Sequence, residues 1–284
     1  MVRIFQRSEE NYCVRYVGYI GDGDAKTYQS IVNANPYGIK AVKELECTGH
    51  VQKRMGTRLR RLKKQMTGTK LSDGKSWTGK GRLTDACISQ ITSFYGNAIR
   101  AHENSVEKMK DAIWAIWYHR RSSDENPSHY LCPPGPNSWC KWQNLPATRI
   151  PDNACHANSL PEPIMDAIKP IFADSTKEHL LERCIGGKTQ NVNENLNNVI
   201  WKMCPQTGFR GAKTVQAAAY IAAATSNDGK KAILNVMKLL DVKPQKFALV
   251  GAREATFTAR HVDLFCSTEH LLVGRRLCCD ILFL

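Results

Sequence analysis

The first 66 residues alternate between two periodicities in a fixed order, and this restricts the available folds more than any other feature of the chain. Val14–Ile20 (VRYVGYI) alternates, is rich in Val, Tyr and Ile, and stops at Gly21-Asp22-Gly23-Asp24. That pattern predicts a strand ending in a turn. Ala25–Ala34 reads as a short helix closed by Asn35-Pro36-Tyr37-Gly38, and Val42–Cys47 (VKELEC) alternates again. From His50 to Met66 the apolar residues Val51, Met55, Leu59 and Leu62 then recur at three- to four-residue spacing, which predicts an amphipathic helix. Strand, helix, strand, helix is the order of neighbouring parallel strands with helices on their faces.

Beyond Thr84 the pattern is helical, so the expected class is mixed α/β and helix-rich. The segments 84–102 and 104–121 place Ile88, Ile91 and Ile99, then Val106, Met109, Ile113, Trp114 and Trp117, at helical spacing. An irregular stretch from Pro127 to Pro161 follows, and Pro161 is well placed to open the next helix. Lys177–Cys184, Val192–Met203, Ala212–Ser226 and Lys230–Leu240 are further helix candidates, whereas no pattern stands out after about Pro244 and the tail from Cys266 fits neither an amphipathic helix nor a strand pair. The 284 residues suffice for one large domain or two small ones, with 42% hydrophobic and 23% charged residues as in ordinary globular chains. No apolar run approaches the roughly 18–20 residues of a membrane span, and MVRIFQRSEENY carries no apolar signal core, so neither a membrane partner nor a secretory route is expected.

Charge is concentrated in one place. The chain has 40 Lys+Arg against 26 Asp+Glu, a net +14. Residues 51–82 alone hold Lys53, Arg54, Arg58, Arg60, Arg61, Lys63, Lys64, Lys70, Lys75, Lys80 and Arg82 against the single acid Asp73, which is +10 of that total. Such a local field is the footprint of a polyanion, since each cation that neutralises a phosphate releases condensed counterions. A solvated helix face followed by a basic loop is the plainer reading. The Gly/Ser/Thr/Lys-rich stretch from Thr67 to Arg82 reads as a loop that orders on binding. Helix and loop together suit backbone contact rather than base readout.

Four constellations offer chemistry. Asp22 and Asp24 follow a strand end, where carboxylates meet hard divalent cations, although Asp and Gly are also ordinary turn residues. Cys47 and His50 form half a zinc site just past the second strand. His129, Cys132 and Cys140 lie in a loop with few apolar residues besides Trp139 and Trp142, and Cys155-His156 follows downstream. A structural zinc held by His129, Cys132, Cys140 and an undetermined fourth ligand would keep that loop ordered. Eleven cysteines in a chain without an export signal fit metal ligation and buried thiols better than disulfides. Lastly, Gln190, Glu194 and Asn197 or Asn198 share one helical face, with Val199, Ile200 and Trp201 expected on the packing side. One carboxylate among neutral amides suits a cleft that binds a cation and a substrate.

The segments GDGDAKTY, ECTGHVQKRMGTRLRRLKK, HYLCPPGPNSWCKW and GKTQNVNENLNNVIW, in that order, closely resemble the Mutator-like transposases of animal genomes. The resemblance runs from about Ser8 to Leu240. It implies a ribonuclease H-like catalytic domain with an Asp-Asp-Glu triad, in which Asp22 would be the second Asp, with Asp24 as alternative, and Glu194 the Glu. Cys47 and His50 would be the Cys-x-x-His pair of the superfamily. The core would then comprise residues 1–66 and 185–243, a helical insertion would span 67–184 with its Cys/His loop at 127–156, and 244–284 would be a tail outside the scheme. The resemblance further implies Mg²⁺ or Mn²⁺, DNA strand cleavage and transfer, a nuclear location and oligomerisation on DNA. In the family the first Asp precedes the GDGD segment on an earlier strand. Here the only acids before Asp22 are Glu9 and Glu10, at what reads as a helix end. The expectation is therefore a partial ribonuclease H-like core, N-terminally truncated, that binds DNA and catalyses poorly. The alternatives are a domesticated, non-enzymatic nuclear DNA-binding protein with a structural zinc, and a non-functional remnant of a mobile element.

Overall fold

The computed structural model describes residues 1–21, 25–144, 156 and 159–251. In chain order the elements are α1 (Val2–Gln6), α2 (Ser8–Tyr12), β1 (Gly18–Gly21), α3 (Ala25–Ala34), β2 (Lys43–Glu46), α4 (Thr48–Gln65), α5 (Asp85–Ala101) and α6 (Val106–Arg121). They continue with α7 (Lys141–Asn144), α8 (Glu162–Ser175), α9 (Glu178–Glu182), α10 (Asn191–Met203), α11 (Ala212–Asp228) and α12 (Lys231–Leu239). Two compact units form: Val14–Thr189 is one, and Arg3–Cys13 with the chain from Gln190 onward is the other.

In the larger unit β1 and β2 pair in parallel, with Gly18 opposite Lys43 and Gly21 opposite Glu46. The expected strand–helix–strand–helix order is present, and these are the two strands among the described residues. The first strand is shorter than its sequence pattern. The Tyr16 N–H donates to the Tyr37 hydroxyl at 2.9 Å, so Val14–Tyr16 stay outside the ladder, which opens where the Val17 carbonyl accepts from the Lys43 N–H (2.9 Å). The far side of β2 meets a later segment: the Glu46 N–H donates to the Arg183 carbonyl (2.8 Å) and the Thr48 N–H to the Lys188 carbonyl (2.9 Å). Near the start of the chain, Glu9 and Glu10 lie in the five-residue α2, which ends at Tyr12.

The core of this unit is helical. Val51, Met55 and Leu59 on α4 meet Ile88, Ile91, Tyr95 and Ile99 on α5, joined by Ile113 and Trp117 from α6 and by Ile164, Ile168 and Phe172 from α8. Two glycines allow α4 and α5 to approach closely. A Cβ on Gly56 would lie 2.8 Å from Thr92 Oγ1, and one on Gly96 would run into the Gln52 side chain. Helix starts follow local chemistry: Thr84 and Ser105 accept from the Cys87 and Lys108 N–H groups, and Pro161 stands at the N-cap of α8. The loop after α4 is already anchored, because Trp77 and Leu83 are buried in the helical core and Asp73 ion-pairs with Arg82 at 2.6 Å. Its conformation does not wait for a ligand.

In the smaller unit Leu196 and Ile200 of α10 pack on Ala219, Ala222 and Ala223 of α11. Among the described residues no helix is long and apolar enough to cross a membrane.

Candidate metal centre

Helix α6 ends by carrying His119 out of the core, two residues after the buried Trp117. The chain then turns back on itself. The Cys132 N–H donates to the His129 carbonyl (3.0 Å), Gly135 adopts a φ of 104° that suits glycine, and its N–H donates to the Gln143 carbonyl (3.1 Å). The Cys140 N–H donates to Ser138 Oγ (3.1 Å) and the Gln143 side-chain amide to the His129 carbonyl (2.9 Å). These bonds bring His119, His129, Cys132 and Cys140 together, with their ligand atoms all within 4.8 Å of one another.

The spacing is that of a tetrahedral metal cage. Zinc held at about 2.3 Å from sulfur and about 2.1 Å from nitrogen would separate sulfur from nitrogen by about 3.6 Å. Cys140 Sγ lies 3.5 Å from His129 Nδ1, and Cys132 Sγ lies 3.6 Å from His119 Nδ1 and 3.9 Å from His129 Nδ1. Two nitrogens and two sulfurs with two buried thiols form a donor set that suits zinc and leaves no open position for substrate. Aromatic rings close the site: Trp142 lies nearly parallel to the His129 ring at 5.2 Å, and Trp139 meets His119 edge-on at 4.9 Å.

The protonation states favour a cation. Burial, together with the neighbouring His129, lowers His119 to a pKa of about 4, and burial, together with His156, does the same to His129. Both rings are therefore neutral ligands down to about pH 4. Burial and the adjacent Cys140 raise the Cys132 thiol, so at neutral pH it holds its proton until a metal displaces it. Zinc affinity is expected to rise with pH between about 5 and 7, by about tenfold per unit for each thiol proton released. Calorimetric titration in buffers of different ionisation enthalpy should detect the proton that Cys132 releases, and a count of zero would remove its thiolate from the site.

His119 is the ligand that the sequence pattern concealed. It stands ten residues before His129 inside a regular helical run, where it reads as one more polar residue of the last turn. Its position at the helix end facing the Cys loop was the available signal. The other predicted residues are placed as follows. Cys47 is buried as the N-cap of α4, with His50 half-buried in the first turn, and among the described residues neither joins a group of three metal donors. Asp22, Asp24 and Cys155 lie outside the described residues. Glu194 is exposed in the first turn of α10, with Asn197 and Asn198 also exposed. The packing side of that helix is Leu196, Val199 and Ile200, while Trp201 is 40% exposed because it lies one residue off the stripe.

The basic segment divides by role. Eight of its eleven cations are exposed: Lys53, Arg58, Arg60, Arg61, Lys64, Lys70, Lys75 and Lys80. Arg54 pairs with the buried Glu46, Lys63 pairs with Asp85 at 3.0 Å, and Arg82 is turned inward onto Asp73. Together these features define a helix-rich α/β domain with a Cys₂His₂ cluster able to hold a metal ion such as zinc, and with a strongly basic, exposed helix and loop.

Residues 1–140, about half of the chain, match the family model described as Mutator-like transposase, and all four donors of the cluster fall within that stretch. The chain belongs to the Mutator-like transposase family. No curated protein and no solved structure matches it.

Proposed function

We propose that the chain is a Mutator-like transposase domain that works on DNA in the nucleus, holding the phosphate backbone on the exposed face of α4 and on the loop that follows. The carrying observation is the dense set of exposed cations within the family-matched stretch. On this reading Asp22 and Glu194 are the carboxylates that hold Mg²⁺ for strand cleavage and transfer, and the zinc is structural. Arg54 and Arg82, engaged by carboxylates, serve the fold.

The test is DNA binding by the full chain, followed by fluorescence anisotropy across a salt series. Neutralising Arg58, Arg60 and Arg61 to Gln should lower the slope of log K against log salt by about 2.7, at about 0.9 for each phosphate no longer neutralised, for any duplex sequence. An unchanged slope would remove this face from the interface. Incubation with Mg²⁺ or Mn²⁺ and labelled DNA then separates the enzyme from a binding-only protein. Cleavage that Asp22→Asn and Glu194→Gln abolish establishes the enzyme. DNA binding with no cleavage, indifferent to both substitutions, establishes the non-enzymatic alternative.

A further inference from the structure

Two residues outside the four-donor cluster continue it. His129 presents Nδ1 to the cysteine sulfurs and Nε2 to His156, whose Nε2 lies 2.9 Å away. The two imidazole planes are within 6° of parallel with centroids 5.1 Å apart, which with the 2.9 Å contact between their Nε2 atoms sets them edge to edge, and Trp142 covers both, stacking on His156 at 4.5 Å and 13°. On its other side the His156 Nδ1 lies 2.5 Å from Asp124 Oδ1, and the His156 backbone N–H donates to the same oxygen at 2.9 Å. The His156 side chain is only 6% exposed, so this bond is sheltered, whereas Asp124 is 63% exposed and keeps its charge hydrated.

The order of these contacts leaves one arrangement of protons. A metal on His129 Nδ1 puts the ring proton on Nε2, and Nε2–H then donates to the bare Nε2 of His156. His156 therefore carries its proton on Nδ1 and donates it to the Asp124 carboxylate. Each nitrogen has one role, and no ring needs to be charged. We infer that Asp124 and His156 are positioning residues of the metal centre, forming a metal–His129–His156–Asp124 chain that fixes the tautomer and plane of His129. A ligating histidine commonly donates its second N–H to a carboxylate or carbonyl, and loss of that partner weakens metal binding by about 10- to 100-fold. Here an interposed imidazole extends the reach. It ties residue 156, late in the irregular stretch, to a cage whose donors all lie at or before residue 140.

The inference rests on the cluster binding zinc, and the experiment separates the two. Full-length chain and the variants Asp124→Asn, His156→Leu and His156→Gln are titrated with Zn²⁺ against a competing chelator. Co²⁺ absorption reports geometry, and long-range ¹H–¹⁵N spectra of histidine-labelled zinc protein report the tautomer of each ring. The expected result is one zinc per chain in every variant, with affinity 10- to 100-fold weaker in Asp124→Asn and His156→Leu. His156→Gln should be partly rescued, because its amide can accept from His129 and donate to Asp124. The tetrahedral cobalt bands persist throughout, and wild type shows His129 protonated at Nε2 and His156 at Nδ1. Zinc affinities within twofold of wild type, or the opposite tautomers, overturn the chain while leaving the four-donor site standing. Loss of the tetrahedral bands in His156→Leu overturns it in favour of direct coordination by His156. Absence of stoichiometric zinc in wild type overturns the site and the chain together.

Discussion

Cys140→Ser is expected to weaken zinc binding by about three orders of magnitude while the helical core stays folded. Removing a metal ligand belongs to the short class of substitutions whose cost is on the order of 4 kcal/mol, which is about a thousandfold in affinity. Cys140 is fully buried, its sulfur lies 3.5 Å from His129 Nδ1, and a serine hydroxyl is a poor zinc donor at neutral pH. The damage should be local. The stretch from Ser122 to Asn144 is held mainly by the donor residues, short turns and the Trp139 and Trp142 rings, whereas the principal core draws on α4, α5, α6, α8 and α9. Circular dichroism should therefore keep its helical signal while limited proteolysis cuts within that stretch. A chelator should reproduce both effects in the wild-type chain. Retention of full zinc affinity by the variant would show that Cys140 is not a ligand.

Trp117→Ala should do the converse, lowering stability by about 3–5 kcal/mol and the Tm by roughly 6–20 °C for a domain of this size. Trp117 is 1% exposed at the centre of the helical core, and its indole N–H donates to the Met165 carbonyl of α8 at 3.1 Å. Trp114 and Tyr118 meet it edge-on at 5.8 and 5.0 Å, and Arg121 and Lys169 lie over its face at 5.3 and 5.4 Å. Truncation removes all of these interactions and leaves a cavity between α6 and α8. Trp117→Phe keeps much of the volume and should recover more than half of the loss. A Tm within 2 °C of wild type for the alanine variant, by calorimetry with zinc present, would mean that the α6–α8 contact is not the keystone of the unit.

What the sequence disclosed and what it concealed divide along a physical line. The parallel pair and the helix order were legible because alternation, helical spacing and caps such as Thr84, Ser105 and Pro161 act locally. The start of β1 was not, since Tyr16 bonds a hydroxyl 21 residues away. Three of the four metal donors were legible as a Cys/His loop, but His119 belongs simultaneously to a helix and to the cluster, and its helical periodicity masked its other role. Charge was legible in amount and not in direction: nothing in the run of lysines and arginines marks Arg82 as buried, because its partner Asp73 is set by the fold of the loop. The two-strand sheet leaves the wider ribonuclease H-like architecture as an expectation of family resemblance.

The anchoring of the basic segment carries a consequence for how it would meet a polyanion. With Val51, Met55 and Leu59 seated in the core and Trp77 and Leu83 closing the loop behind them, the cations project from a surface whose backbone is set in advance. Association then incurs little cost in chain ordering, and its heat-capacity change should be small compared with coupled folding and binding. Such a surface would capture DNA in a single encounter governed by electrostatic steering, with an on-rate that falls steeply as salt is added.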